Sequence, residues 1–378
     1  MAAAAAASNV LQEVSVEENC IPECYVWPDE LVSPVVAHDA FGEEEIPVID
    51  LGGIEEALDH HHEREGDRDQ YSSQYLSVVS LLSAACENWG FFQVVNHGVS
   101  VELLQRVQAM SERFCALPLL EKRKLEVHLA GDRLLGYGFI TKHAQASKRL
   151  WSEGLYLDIS CVSSFAKTLS PHDPQKQHEF CETLEEYFRA LQKLARKITH
   201  LLINSLGLKP GNYDTYAPKD PALLRMNHYP PCPEPSKTQG LGAHVDPNYF
   251  TILHQGHVGG LQVLKDDVWV AVRPHPEAFA INVGDMLQVI SNGRYKSAKH
   301  RAVVNKKQDR YSLAYFAQPP NWDLIVTPQE LLDSKHPPLY KPFSWKEYLE
   351  TVFSRNNNGT GSYSYENLRS VLTLVYHM

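Results

Sequence analysis

No stretch of about eighteen consecutive apolar residues occurs in this 378-residue chain, so the sequence offers no candidate membrane-spanning helix. Basic residues are in deficit. The 35 Lys and Arg stand against 46 Asp and Glu, and a net charge of −11 argues against a nucleic-acid partner, because phosphate recognition needs a basic face. Cysteine is sparse: seven residues form an odd, scattered set, which fits reduced thiols in the cytoplasm better than a disulfide framework. Cys20-x3-Cys24 has no second pair to complete a zinc site. The Ala-rich start lacks the basic and long apolar regions of a secretory signal, so the sequon at Asn358-Gly-Thr is expected to stay bare. There is no internal repeat. What remains, 43% hydrophobic and 21% charged, describes an ordinary globular protein. The expectation is a cytoplasmic monomer acting on a small molecule.

The apolar pattern divides the chain. Residues 1–44 are small, acidic and broken by Pro22, Pro28 and Pro34, and read as a flexible arm. Residues 45–215 mix strand and helix. Ile46–Leu51 and Trp89–Val95 have strand character, and His97-Gly98 marks a turn after the second, where a lone His is expected to be structural. Helical spacing runs through Tyr71–Asn88, Val101–Leu117, and a long stripe from Phe180 through Leu184, Tyr187, Phe188, Leu191, Leu194 and Ile198 to Leu201, with Gly207 placed to stop it. The polar stretch His60–Gln70, with His60-His61-His62, reads as a loop. Over 220–322 the pattern becomes short strands at roughly ten-residue spacing: Leu224–Tyr229, Phe250–His254, Gly260–Leu264, Trp269–Val272, Phe279–Val283, Met286–Ile290, Ala302–Val304 and Tyr311–Phe316. That rhythm predicts a two-sheet jelly roll. Residues 323–355 hold a closing helix at Phe343–Phe353, and 356–378 read as a flexible tail.

Chemistry concentrates in the predicted jelly roll. His244-Val-Asp246 places two ligand-type side chains two apart, on one side of an extended segment. His300 follows fifty-four residues after Asp246. Two imidazoles and a carboxylate suit the facial triad of a non-haem Fe(II) centre, which leaves three positions open. Ten residues on, Arg310-Tyr-Ser312 repeats the i, i+2 spacing. A guanidinium fork beside a hydroxyl fits a carboxylate. A metal with an open face next to a carboxylate clamp implies an acid that chelates at one end and is anchored at the other, most simply 2-oxoglutarate.

These motifs resemble the plant 2-oxoglutarate- and Fe(II)-dependent dioxygenases over nearly the whole ordered chain. The matching residues are Ile46-Pro-Val-Ile-Asp50-Leu, Trp89-Gly-Phe-Phe-Gln-Val-Val-Asn-His97-Gly, Asn227-His-Tyr229-Pro-Pro-Cys-Pro, His244-Val-Asp246, the segment Ser291–Asn305 around His300, and Arg310-Tyr-Ser312. The resemblance implies an α+β, mainly β fold: a double-stranded β-helix (jelly-roll, cupin-like) core flanked by helices. It implies Fe(II) on His244, Asp246 and His300, and O2 as oxidant. The distal carboxylate of 2-oxoglutarate would sit on Arg310 and Ser312, with Asn227 and Tyr229 beside it and ascorbate keeping the iron reduced. Within the family, Cys24–Glu30, Thr251–Gln255, Val258–Val263 and Arg273–Phe279 are most similar to gibberellin oxidases, especially the 20-oxidases. Oxidation of a gibberellin precursor at carbon 20 is therefore expected. A gibberellin 2-oxidase, a hydroxylase of flavonoids or another hormone, and a silent small-molecule-binding protein are the alternatives.

Two departures stand out. Where 20-oxidases carry Leu-Pro-Trp-Lys-Glu-Thr, a segment linked to substrate, this chain has Leu150-Trp-Ser-Glu-Gly154. Where they favour Asn-Tyr-Tyr-Pro, it has Asn227-His-Tyr-Pro. Trp151 has two readings, an apolar wall of the substrate pocket or a core residue.

Overall fold

The computed structural model describes residues 20–28, 45–54, 73–130, 133–138, 148–209, 216, 218, 222–320 and 323–350. Before the core come β1 (Val48–Asp50), α1 (Ser73–Asn88), β2 (Phe91–Val95), α2 (Val101–Cys115), α3 (Leu119–Arg123), β3 (His128–Ala130), β4 (Arg133–Tyr137), β5 (Glu153–Leu157), α4 (Val162–Leu169) and α5 (Pro174–Ser205). The core follows as β6 (Leu223–Tyr229), β7 (Leu241–His244), β8 (Phe250–His254), β9 (Leu261–Lys265), β10 (Val268–Ala271), β11 (Phe279–Val283), α6 (Asp285–Ile290), β12 (His300–Ala302) and β13 (Arg310–Ala317). A small ribbon, β14 (Leu324–Ile325) with β15 (Phe343–Ser344), leads to helical residues 345–350.

The eight core strands form two four-stranded antiparallel sheets, β11-β8-β13-β6 and β10-β9-β12-β7. The chain alternates between them, which is the double-stranded β-helix. The first sheet continues through β2 and β1 at one edge and through β5, β4 and β3 at the other, making nine strands. Strands from both sides of residue 216 share this one sheet.

Alternation along the strands explains where the core sits. Leu224 and Met226 on β6, Phe250 and Ile252 on β8, Phe279, Ile281 and Val283 on β11, and Leu313 and Tyr315 on β13 join one buried apolar cluster with Leu184, Tyr187, Leu191, Leu194 and Ile198 of α5. The alternate residues of the same strands face the second sheet and carry the chemistry. α5 begins where Asp173 accepts a hydrogen bond from the Lys176 N–H at 3.0 Å with Pro174 in the first turn. It ends at Gly207, whose φ of +77° suits the left-handed closing position.

Some expected elements are corrected. Met286–Ile290, expected as a strand, is the helix α6; a short apolar run cannot by itself distinguish a strand from a buried helical turn. Its first N–H groups, at Asp285 and Met286, donate to the carbonyls of Asp246 and Asn248. The expected strand Ala302–Val304 lies two residues earlier, at β12. The short strands β3, β4, β5 and β7 lie outside the expected set. The arm is corrected in part. Residues 20–28 are packed, with Ile21, Tyr25 and Trp27 buried, the Trp27 N–H donating to Lys237 O at 2.9 Å and its indole N–H to Arg149 O at 3.0 Å. The rings of Tyr25 and Trp27, with the Ile21 side chain, bury the apolar surface that holds this segment in place. The rest of the arm, His60-His61-His62, the sequon and the 356–378 tail lie outside the described residues. Among the described residues no helix is long and apolar enough to cross a membrane.

Candidate active site

His244 closes β7 and His300 opens β12, and the two are directly paired across these antiparallel strands. The long sequence separation therefore vanishes in space: the imidazole centroids are 4.2 Å apart. Asp246 lies two residues beyond the end of β7, not within the strand as the spacing suggested. Its Oδ1 is 3.5 Å from His244 Nε2 and 3.8 Å from His300 Nε2, and ligand atoms of the three all fall within 4.8 Å of one another.

Everything around these side chains turns one atom of each inward. His244 Nδ1 is 2.8 Å from Gly242 O and His300 Nδ1 is 3.1 Å from Ala298 O, which sets both rings with Nε2 free as an acceptor. Asp246 Oδ2 accepts from the Thr251 hydroxyl at 2.5 Å and the Asn282 amide at 2.8 Å, leaving Oδ1 to face the imidazoles. Burial raises the Asp246 carboxyl, but His300, His244 and the Thr251 hydroxyl outweigh it, so the group is held well below the usual carboxylate range. Burial pushes His300 down to about 4, helped by His244 and opposed by Asp246. A neutral imidazole with an ionised carboxylate is the protonation state a metal requires. The donor set fits Fe(II).

The wall beside it fits an organic acid. Cross-strand register pairs Arg310 with Tyr229 and Ser312 with Asn227, so all four side chains stand on the inner face and line one cavity with the three ligands. Arg310 is 2% exposed. Its guanidinium lies 4.9 Å over the Tyr229 ring, its Nε donates to Val258 O at 3.3 Å, and Nη1 has no hydrogen-bond partner. Burial pulls its pKa down, yet a guanidinium stays charged in proteins. The Asn227 amide donates to Ser312 Oγ at 3.3 Å, while Asn227 Oδ1 is also unpartnered. A buried cation with an unused donor is costly unless something anionic meets it, and the distal carboxylate of 2-oxoglutarate has the right charge and shape.

Comparison with known proteins agrees. The 2OG-Fe(II) oxygenase superfamily matches residues 221–319, and the family described as non-haem dioxygenase in morphine synthesis N-terminal matches 46–180. Gibberellin 3-beta-dioxygenase 2 of Arabidopsis thaliana is 35% identical over 346 residues, 89% of this chain and 90% of its own. The chain belongs to the 2OG-Fe(II) oxygenases. Gibberellin 20 oxidase 1 of the same plant is 35% identical, covering 87% and 83% of the two chains, and gibberellin 20 oxidase 1-D of Triticum aestivum is 36% identical, covering 87% of each. Among solved structures, JOX2 in complex with 2OG, Fe and JA superposes with a TM-score of 0.71 at 32% identity, covering 96% of this chain and 97% of that one. The enzyme is therefore an oxidoreductase that uses Fe(II), 2-oxoglutarate and O2 on a small-molecule substrate.

Trp151 of this oxygenase is a core residue. It is 1% exposed, its indole N–H donates to Pro230 O at 3.1 Å, and it packs edge-on against Tyr25 with ring centroids 5.0 Å apart. It is absent from the cavity wall, although it shares a buried cluster with Tyr229, which does line it. Trp151→Ala should cost about 3–5 kcal/mol of stability. Thermal unfolding should shift down by several degrees, and substrate oxidation should fall together with uncoupled 2-oxoglutarate consumption. A variant that kept its melting temperature but changed its products would return Trp151 to the pocket wall.

His97 is buried in a structural setting, with Nε2 2.9 Å from Glu277 O and Nδ1 accepting from the Val99 N–H at 3.1 Å. Thr251, Asn282 and Arg225 were not picked out from the sequence. A polar residue inside an apolar strand, as in Phe279-Ala-Ile-Asn282-Val, was the available signal for Asn282. Gly260 was another. A Cβ there would come 3.0 Å from Arg310 Cδ and 2.8 Å from Val303 O, and its φ is +142°, so Arg310 reaches its place only because residue 260 has no side chain.

Proposed function

We propose that this enzyme hydroxylates or further oxidises a carboxylate-bearing diterpenoid of the gibberellin type, most like a 20-oxidase, and that it acts as a cytoplasmic monomer without a nucleic-acid partner. In this reading His244, Asp246 and His300 hold Fe(II) on one face. Arg310 and Ser312 hold the distal carboxylate of 2-oxoglutarate, with Asn227 and Tyr229 fixing its flank. The metal centre supplies the oxidising power by coupling O2 reduction to decarboxylation of the 2-oxo acid. The protein orients the acid, excludes water from the space between two sheets, and presents the substrate carbon.

The observation that carries the substrate class is a second arginine in the same cavity. Arg225 stands two residues before Asn227 on β6, on the same inner face, half-buried and stacked 4.9 Å over the Tyr156 ring, with its buried Nε unpartnered. Arg310 is committed to one acid, so Arg225 is available to another. Beside it lies Gly154, where a 20-oxidase has Thr. A Cβ at that position would be 3.4 Å from Arg225 Nε, so the glycine leaves the guanidinium without a neighbouring hydroxyl to satisfy it. Relatives named as gibberellin 3-beta-dioxygenases and gibberellin 20 oxidases support the diterpenoid skeleton. Apolar residues Leu241, Leu253, Leu261 and Phe316 complete the cavity wall.

A mass-spectrometric screen with gibberellin precursors, finished gibberellins and carboxylate-free flavonoids tests this. Carboxylate-bearing diterpenoids should be oxidised, and the position attacked separates a 20-oxidase from a 2-oxidase. Arg225→Gln should raise the KM for the diterpenoid about tenfold or more while the KM for 2-oxoglutarate stays. Turnover of flavonoids alone, or an unchanged diterpenoid KM, would sink the substrate assignment.

A further inference from the structure

On the helix-facing side of the same sheet, directly behind the proposed co-substrate site, lies a buried set of charges. His228 sits between Asn227 and Tyr229 on β6, so its side chain points away from the cavity. Its Nδ1 is 2.7 Å from Glu153 Oε1 on β5, and its Nε2 is 2.6 Å from Asp309 Oδ1, one residue before Arg310. A neutral imidazole has one donor and one acceptor, whereas a ring with a carboxylate at each nitrogen needs two donors. The geometry therefore requires imidazolium.

The surrounding groups complete the balance. Lys122 Nζ of α3, fully buried, is 2.7 Å from Glu153 Oε2 and donates to Cys115 O at 3.0 Å. The Tyr137 hydroxyl of β4 donates to Glu153 Oε2 at 2.6 Å. Tyr311 of β13 stacks on the imidazole, with centroids 4.6 Å apart and planes 6° from parallel. The Cys115 thiol also approaches, and burial holds it and both tyrosine hydroxyls neutral by raising them. Glu112 stands exposed at the rim. Two cations thus answer two carboxylates. Cys115, Glu153 and His228 could be mistaken for a metal site, but the Lys122 ammonium already fills the role of the cation.

One departure from the 20-oxidase pattern lies here, because His228 stands where they carry Tyr. We propose that the His228 imidazolium is a positioning residue, tying β5, β6 and the start of β13 together so that Asn227, Tyr229 and Arg310 keep the spacing that 2-oxoglutarate requires. This rests on the reading that those residues hold the co-substrate. Burial alone would lower His228, but its bonds to Asp309 and Glu153 outweigh this and raise it. The sign follows. With the folded value raised, the contribution is fully present below the unfolded value of about 6.5 and is lost as pH rises through the folded value.

The test is the dissociation constant of 2-oxoglutarate, measured by calorimetry under anaerobic conditions with Mn(II) in place of Fe(II), upward from about pH 6.5. His228→Gln should weaken 2-oxoglutarate about ten- to a hundredfold at low pH without changing Mn(II) affinity, and should remove the loss of affinity at high pH that is expected of the wild type. Asp309→Asn, at a side chain 32% exposed, should weaken the complex less and move the loss of affinity to lower pH. Should His228→Gln fail to fold, Asp309→Asn decides by that shift. Variants with wild-type affinity and pH profile, and only a lower melting temperature, would overturn the proposal. Arg310→Lys is the control. If it weakens 2-oxoglutarate while the His228 and Asp309 variants do not, the positioning role fails alone; if none of them does, the co-substrate assignment fails.

Discussion

Alanine at His244, Asp246 or His300 should reduce turnover by well over a hundredfold in each case, since losing even a supporting partner of a metal ligand costs about ten- to a hundredfold. The fold should survive. These side chains converge on a cavity rather than on the apolar cluster against α5. The Asp246 variant should be the least stable of the three, because Thr251 and Asn282 would each lose their acceptor, a cost of about 1–3 kcal/mol per buried group. Three measurements check this: succinate release from 2-oxoglutarate, iron content of the protein reconstituted without oxygen, and circular dichroism. If two of the three variants kept most of their activity, the triad assignment would be wrong.

Arg310→Lys should raise the KM for 2-oxoglutarate about ten- to a hundredfold, with iron content little changed. Lysine keeps the charge and loses the fork, and a charge-assisted hydrogen bond is worth about 1.5–3 kcal/mol. The structure sharpens the expectation. Arg310 lies over Tyr229 with one nitrogen on Val258 O and another unpartnered, and a single ammonium cannot reproduce that planar set of donors. An unchanged KM would mean that another group, with Arg225 a candidate in the same cavity, anchors the co-substrate.

The i, i+2 pairs were readable in the chain because strand geometry acts at short range. Arg310 with Ser312, and Asn227 with Tyr229, share a face wherever the backbone is extended, and β6 and β13 supply that backbone over seven and eight residues. The same holds for the stripe along α5, where period and length leave little else possible. Local information failed for α6, whose apolar run suits strand or helix equally, and for Asp246, which reaches the imidazoles from beyond the end of β7.

What the sequence by itself determined was the motif set His244, Asp246, His300, Arg310 and Ser312, the alternation that divides each core strand between two faces, and the long helix that packs on one of the two sheets. Only the tertiary structure decided who meets whom. The pairing of β7 with β12 brings His244 onto His300, Thr251 and Asn282 arrive on Asp246 from two other strands, Trp151 is shut into the core beneath residues 20–28, and His228 closes onto Glu153 and Asp309. Those contacts depend on sheet register between distant segments. Register is set by the burial of whole faces at once, a cooperative outcome that no window along the chain contains.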